Sequence, residues 1–117
     1  MYIYAYRSVF ETQGQTYSTS DLDRFQTREG LLHQQPISIY GFNQTATCTS
    51  GNCIEGNADV QYIMGIAQNV TTIYWYIPGG SYATDPFVTY IVDIDSQPFV
   101  SQSNSISWIG DEYVSVL

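Results

Sequence analysis

Apolar and polar positions along the chain switch between a period of two and a period of three to four. Residues 2–10 interleave tyrosines with smaller apolar types and end in Val9-Phe10, which predicts a strand with Glu11 at its end. Thr12-Gln13-Gly14-Gln15 reads as a loop. Ser18-Thr19-Ser20-Asp21 then offers N-caps for a short helix from Leu22 to about Phe25. Leu22 and Phe25 lie three apart and share a face there, and Arg28-Glu29-Gly30 ends the region. Pro36 precedes a second strand over residues 37–42, and a polar stretch follows over 43–52. The spacing predicts a helix over 55–67, with Ile54, Ala58, Tyr62 and Ile66 in one apolar row and Val60, Ile63 and Ala67 in another. Residues 71–77 are β-branched and aromatic and predict a strand, broken by Pro78-Gly79-Gly80. Asp85 and Pro86 read as the N-cap and first residue of a helix that buries Phe87, Val88, Ile91 and Ile94. The β-branched content leaves a strand open as the alternative there. Pro98 ends that element, residues 105–109 form a last strand, and Gly110-Asp111-Glu112 turns out of it.

Strands alternating with helices predict an α/β fold, a parallel sheet with helices packed on it. The nearly continuous apolar runs of the later strands suit a parallel sheet covered on both faces. At 117 residues the chain is one domain or part of one. No internal repeat or linker is visible. The apolar run over residues 114–117 reads as a surface that a further stretch of chain would cover.

Composition narrows the function classes. Hydrophobic types make up 44% and aromatics 15%, which excludes a disordered chain. Three arginines and no lysine face 11 carboxylates, for a net charge of -8. A dense basic surface is therefore impossible, and neither nucleic acid nor an anionic membrane is an expected partner. Carboxylates protonate near pH ~4, so the charge relaxes in acid and suits an acidic compartment. The first seven residues lack a positive segment followed by an apolar one, so no signal peptide is expected. No run approaches 18 apolar residues, so no membrane-spanning helix is expected. Cys48 and Cys53 bracket the polar loop Thr49-Ser50-Gly51-Asn52, which a local disulfide closes in an oxidising compartment. Two thiols with His33 far off in sequence make a weak zinc site. Asp93, Asp95, Asp111 and Glu112 lack the spacing of a calcium loop, and no metal site is expected. Asn43-Gln44-Thr45 and Asn69-Val70-Thr71 are glycosylation sequons if the chain is secreted, and ordinary turn asparagines otherwise.

Glu55 and Asp59 stand four apart at the start of the helix predicted over 55–67, on one helix face. Two carboxylates so close resist double ionisation and tend to share a proton. A helix N-terminus partly offsets this by favouring negative charge. The pair serves either as a general base with its supporting acid or as two solvated surface charges.

The surrounding residues, Gly51-Asn52-Cys53-Ile54-Glu55-Gly56-Asn57-Ala58-Asp59-Val60-Gln61-Tyr62-Ile63-Met64, closely resemble the catalytic helix of the sedolisin family. These are the serine-carboxyl peptidases that include the tripeptidyl peptidases. Asn69-Val70-Thr71-Thr72-Ile73-Tyr74-Trp75-Tyr76 resembles the strand after that helix, and Asp85-Pro86-Phe87 the start of the following helix. Asn104-Ser105-Ile106-Ser107-Trp108-Ile109-Gly110-Asp111-Glu112 resembles the family's next strand, and Val9-Phe10-Glu11 through Ser20-Asp21-Leu22-Asp23-Arg24-Phe25 resembles its early strand and the segment after it. The resemblance covers nearly the whole chain.

It implies a partial subtilisin-like parallel sheet with flanking helices and a site of stated parts. Glu55 would be the general base to a serine nucleophile and Asp59 its orienting partner, while Glu11 and Trp108 would extend the network behind them. A carboxylate base works in acid, where a histidine would be protonated. The Glu–Asp pair takes the place of the His–Asp pair of a triad. Without the resemblance, Trp108 reads as plain core and Glu11 as a strand-end charge. Peptide or protein substrates, and an extracellular, lysosomal or vacuolar setting, are implied for the full-length protein.

The departures are equally specific. The family's Gly-Thr-Ser-x-x-x-Pro nucleophile motif does not occur here, and Ser81 and Ser101 lack its context. The Ser-Gly-Asp motif of the oxyanion aspartate is absent too, since Asp111 fits the wrong strand. The family's calcium site lies in its C-terminal part, so this chain needs no cofactor of its own. Residues 1–117 thus read as an incomplete domain with the base half of a site and neither nucleophile nor oxyanion hole, inactive alone. The alternative is a non-enzymatic remnant that binds a peptide, a protein or a complementary chain. A glycosidase is disfavoured, because carboxyls on one helical turn do not straddle a sugar. Gly56 and Ala58 stand where the family more often has alanine and leucine, which implies looser packing of that helix.

Overall fold

A computed structural model describes residues 5–40, 44–45, 48, 51–78, 85–99 and 101–107. Four parallel strands form the main sheet in the order β3-β5-β1-β6. They are β1 (Tyr6–Glu11), β3 (Ile37–Tyr40), β5 (Thr71–Tyr76) and β6 (Ser103–Ile106). The inner strands are buried on both faces, as a sheet covered by helices on two sides requires. The register is unbroken from Tyr6↔Thr71 to Glu11↔Tyr76. A second, two-stranded pairing joins β2 (Tyr17–Ser18) to β4 (Gln44–Thr45). Two residues carry no readable periodicity, and sequence patterning shows neither strand.

Helix α1 (Thr19–Glu29) is longer than the expected 22–25. Ser18 caps it by accepting from Asp21 N at 3.1 Å. Gly30, at φ 64°, closes it with its N–H on Gln26 and Thr27 carbonyls. Its buried residues are Leu22 and Gln26, with Phe25 half-buried. Helix α2 (Ile54–Ile66) and helix α3 (Pro86–Asp95) complete the fold. Asp85 accepts from Phe87 N with Pro86 in the first turn, so the helical reading of that segment holds over the strand alternative.

The core lies in two layers. On one sheet face Val9 and Tyr74 pack with Tyr17, Leu22, Val60 and Met64 from α1, α2 and the segment before α1. On the other, Phe10, Ile73, Trp75 and Ile77 pack with Tyr90 of α3, with Phe87 and Ile94 partly buried. The structure chooses between the two rows of α2 and corrects the row expected on α3. On α2 the buried row is Gly56, Val60 and Met64, while Ile54, Tyr62 and Ile66 are exposed. On α3 the buried line is Phe87, Tyr90 and Ile94, while Val88 and Ile91 are exposed. Each helix carries two apolar rows, and period alone does not choose between them. Aromatic filling decides α3: the Tyr90 ring lies 4.8 Å from Phe10 and 5.6 Å from Trp75. The Tyr90 hydroxyl also meets Ser8 Oγ at 2.8 Å.

The connection from β1 to β3 runs one way across the sheet with α1 on the first face. The connection from β3 to β5 runs back with α2 on that same face. From β5 to β6 the chain crosses β1 with α3 on the opposite face. The α2 crossover therefore has the opposite hand to the other two. Since about 98% of such crossovers are right-handed, α2 sits on the unusual one.

Candidate active site

In parallel sheets ligands gather at the carboxyl ends of strands. Glu11 is the last residue of β1, a central strand, and is 2% exposed. Asp59 lies in the second turn of α2 and Glu55 one turn nearer its start, the side of the helix that faces this edge. Ser107, just past β6, donates from Oγ to Asp59 Oδ1 at 2.9 Å. An open cleft of about 490 Å³ is lined by Glu11, Thr12, Gln13, Gln15, Glu55, Ile106 and Ser107. Sequence reasoning named Glu11, Glu55 and Asp59, and the fold brings all three to one place.

Their electrostatics are graded from solvent inward. Glu55 is half-buried at the mouth of the cleft. Burial raises the Asp59 carboxyl, hydrogen bonds from Ser107 and Ser105 oppose that rise, and the Glu55 charge adds to it. Burial, then the charges of Asp59 and Glu55, push Glu11 up to about 8. Glu11 is therefore a neutral acid in acidic solution, and a neutral carboxyl is able to donate a hydrogen bond. Among the described residues, Glu11 Oε1 and Asp59 Oδ2 are buried without a hydrogen-bond partner.

The start of α2 has no side-chain cap at Cys53. Other contacts fix it. Cys53 is bonded to Cys48, as the short loop between them predicted. Thr16 N donates to Asn52 O at 2.9 Å. Asn57 accepts from Ser18 N at 2.8 Å and donates to Asp21 Oδ2 at 3.1 Å, tying α2 to the start of α1. Gly56 is a close-approach position: a Cβ there would lie 2.3 Å from Thr16 O. This corrects the expectation of loose packing, because the missing side chain lets the helix press against the loop after β1. Asn57 and Ser107 are site-supporting residues that sequence reasoning missed. Asn57 sits between Glu55 and Asp59 in the quoted motif, and that placement was the available signal.

Other expected residues fall elsewhere. Trp108, Asn43, Ser81, Asp111 and Glu112 lie outside the described residues. Ser101 is buried before the start of β6, and the adjacent Gln102 N donates to Tyr6 O, so it stands at the opposite end of the sheet from Glu11. Asn69 is exposed in the α2–β5 turn at φ 59°, a left-handed conformation that asparagine tolerates. Among the described residues no group of three or more His, Cys, Asp or Glu could hold a metal ion, and no helix is long and apolar enough to cross a membrane.

No family model matches the chain, and no solved structure does. Tripeptidyl-peptidase 1 of Dictyostelium discoideum is 38% identical to it over 98 residues, 82% of this chain. The chain spans 15% of that relative's length. With the sheet, the helix order and the carboxyl cluster in place, the chain is a homologue, over part of its length, of a tripeptidyl-peptidase 1 of the sedolisin family.

Proposed function

We propose that this chain carries the base half of a serine-carboxyl peptidase site, as an incomplete peptidase domain over residues 1–117. Glu55, at the cleft, is the general base that takes a proton from a serine. Asp59 orients Glu55 and disperses its charge. Glu11, a neutral acid, backs Asp59 without adding a second negative charge, and Trp108 belongs to the same network. The serine and the oxyanion aspartate come from a stretch of polypeptide outside these residues, so the chain alone hydrolyses nothing. The observation that carries this reading is the convergence of Glu11 and Glu55 on one cleft at the carboxyl edge of the sheet, with Asp59 bonded to the lining residue Ser107 and close enough for its charge to act on Glu11.

The substrates are peptides, cut in acid in a lysosomal, vacuolar or extracellular setting, and calcium belongs to the complete domain rather than to this part. Asn69, exposed in its sequon, carries an N-glycan there, and Asn43 is the second acceptor. The exposed apolar faces of α2 and α3 favour a second reading, a remnant that binds a peptide or a complementary chain.

The test is a chimera in which these 117 residues replace the matching stretch of the Dictyostelium relative. Tripeptide release in acid is expected, and Glu55→Gln in the chimera should lower it ~10²-fold or more. A chimera that cleaves equally well with Glu55→Gln would overturn the assignment of the base.

A further inference from the structure

Arg7 and Glu11 are the charged residues of β1, and each is 2% exposed. Among the described residues no carboxylate pairs with Arg7. Its guanidinium instead gathers the end of α2. Nη1 donates to Ile63 O at 2.6 Å and also to Ala67 O. Nη2 reaches Val70 O at 3.4 Å, and Nε donates to Thr72 Oγ1 at 2.6 Å. The last turn of α2 has no basic residue of its own and no glycine cap. Its cap bond, Ala67 N to Ile63 O, is long at 3.5 Å. The unsatisfied carbonyls and negative dipole end of α2 are thus met by a cation from the neighbouring strand.

Arg7, Val9 and Glu11 share one face of β1, since side chains alternate along a strand. Arg7 meets residues 63 and 67, Val9 packs with Val60 and Met64, and Glu11 feels Asp59 and Glu55. Strand and helix therefore run antiparallel in a matched ladder. From 7 to 11 a strand spans about 13 Å, and from 59 to 67 a helix spans about 12 Å. A grip on residues 63 and 67 consequently fixes where residue 59 stands against residue 11. A methionine would fill the same space without desolvating a charge. What the guanidinium adds is direction, through donors in a rigid fork.

We propose that Arg7 is a positioning residue: by holding the carbonyls that end α2, it sets the axial register of that helix on β1 and so brings Asp59 and Glu55 to Glu11. The proposal rests on the carboxylate reading of the site. Two measurements on the full chain test it, with R7M and R7K as variants. Methyl NOEs between Val9 and the Val60 and Met64 side chains report the register. The ¹³C-detected titration of the Glu11 carboxyl reports its effect on the site. In R7M the Val9 contacts should change partners and the Glu11 midpoint should fall by about one pH unit or more as water reaches it. R7K keeps the charge without the fork, and it should fall between wild type and R7M.

A role in stability alone would lower the melting temperature and leave both readouts in place. Folded R7M or R7K with wild-type NOEs and titration would overturn the proposal. If R7M does not fold, R7K decides by the same criteria. If neither folds, Arg7 is a stability residue and the positioning role is lost. Should wild-type Glu11 titrate near 4.5, the coupled site fails independently, and the NOEs alone judge Arg7.

Discussion

Glu11 is the residue at which burial and charge act in the same direction, and its consequence is measurable in the folding equilibrium. Its folded-state value, about 8, lies above the ordinary 4.5. A carboxyl raised on folding contributes stability that is fully present below its unfolded value and is lost as pH rises through the folded one. Asp59 is shifted in the same direction. The chain should therefore lose a few kcal/mol between pH ~4.5 and ~8. Glu11→Gln keeps the shape and removes the ionisation. Urea midpoints at pH 5 and pH 8 should differ clearly for wild type and much less for that variant. Equal slopes in the two proteins would mean that another group titrates. The residue types of this site were legible in the sequence, because Glu55 and Asp59 sit at helical spacing in a motif. That Glu11 is a buried neutral acid was not legible, since it depends on β5 and β6 flanking β1, a fact of topology and not of local pattern.

Helix α2 shows how an element can be located from its periodicity while its orientation stays open. Its bounds differ from expectation by a residue at each end, but the row from Ile54 to Ile66 faces outward. The smallest residue explains the choice. Gly56 allows backbone contact with Thr16, and that approach turns Val60 and Met64 into the core. Gly→Ala in a helix interior ordinarily gains ~1 kcal/mol from propensity. Here the added Cβ would sit 2.3 Å from a backbone oxygen that cannot rotate away. Overpacking costs typically 1–3 kcal/mol, and contact with fixed backbone belongs at the upper end. Gly56→Ala should thus be a net loss of ~2 kcal/mol, read as a lower urea midpoint at constant m-value. A neutral or stabilising result would show that α2 can stand off from the loop, and the placement of Glu55 and Asp59 over Glu11 would lose its footing. The same reasoning covers α3, where residue volume, and not the count of apolar positions, picked the Tyr90 face. Strands β2 and β4 were illegible for a simpler reason, since two residues cannot display a period.

At the scale of the molecule two opposed forces act on the surface. Ile54, Tyr62 and Ile66 on α2, and Val88, Ile91 and Val92 on α3, present apolar rows on opposite layers of the fold. Exposed apolar side chains in such rows favour association with other apolar surface. A net charge of -8 resists self-association near neutral pH. That resistance fades toward the pI of about 4.1, while the buried Glu11 is neutral there and the fold itself is favoured. The isolated chain should therefore be folded yet associating near pH 4–5, and increasingly monomeric but less stable toward pH 8. Sedimentation at several concentrations, with a dye that reports exposed apolar surface, separates the two trends. Ile66→Glu, at a position 86% exposed, and Ile91→Glu, at 62%, should reduce association and dye binding together. Away from packed sites surface substitutions stay within about 0.5 kcal/mol, so the urea midpoints should hardly move. If either variant costs several kcal/mol instead, that row is core, the helix is oriented otherwise, and the shared face of Arg7, Val9 and Glu11 against α2 must be redrawn. If both fold normally and association persists, the sticky surface is β6, an outer strand of the sheet among the described residues, where Ile106 is 48% exposed.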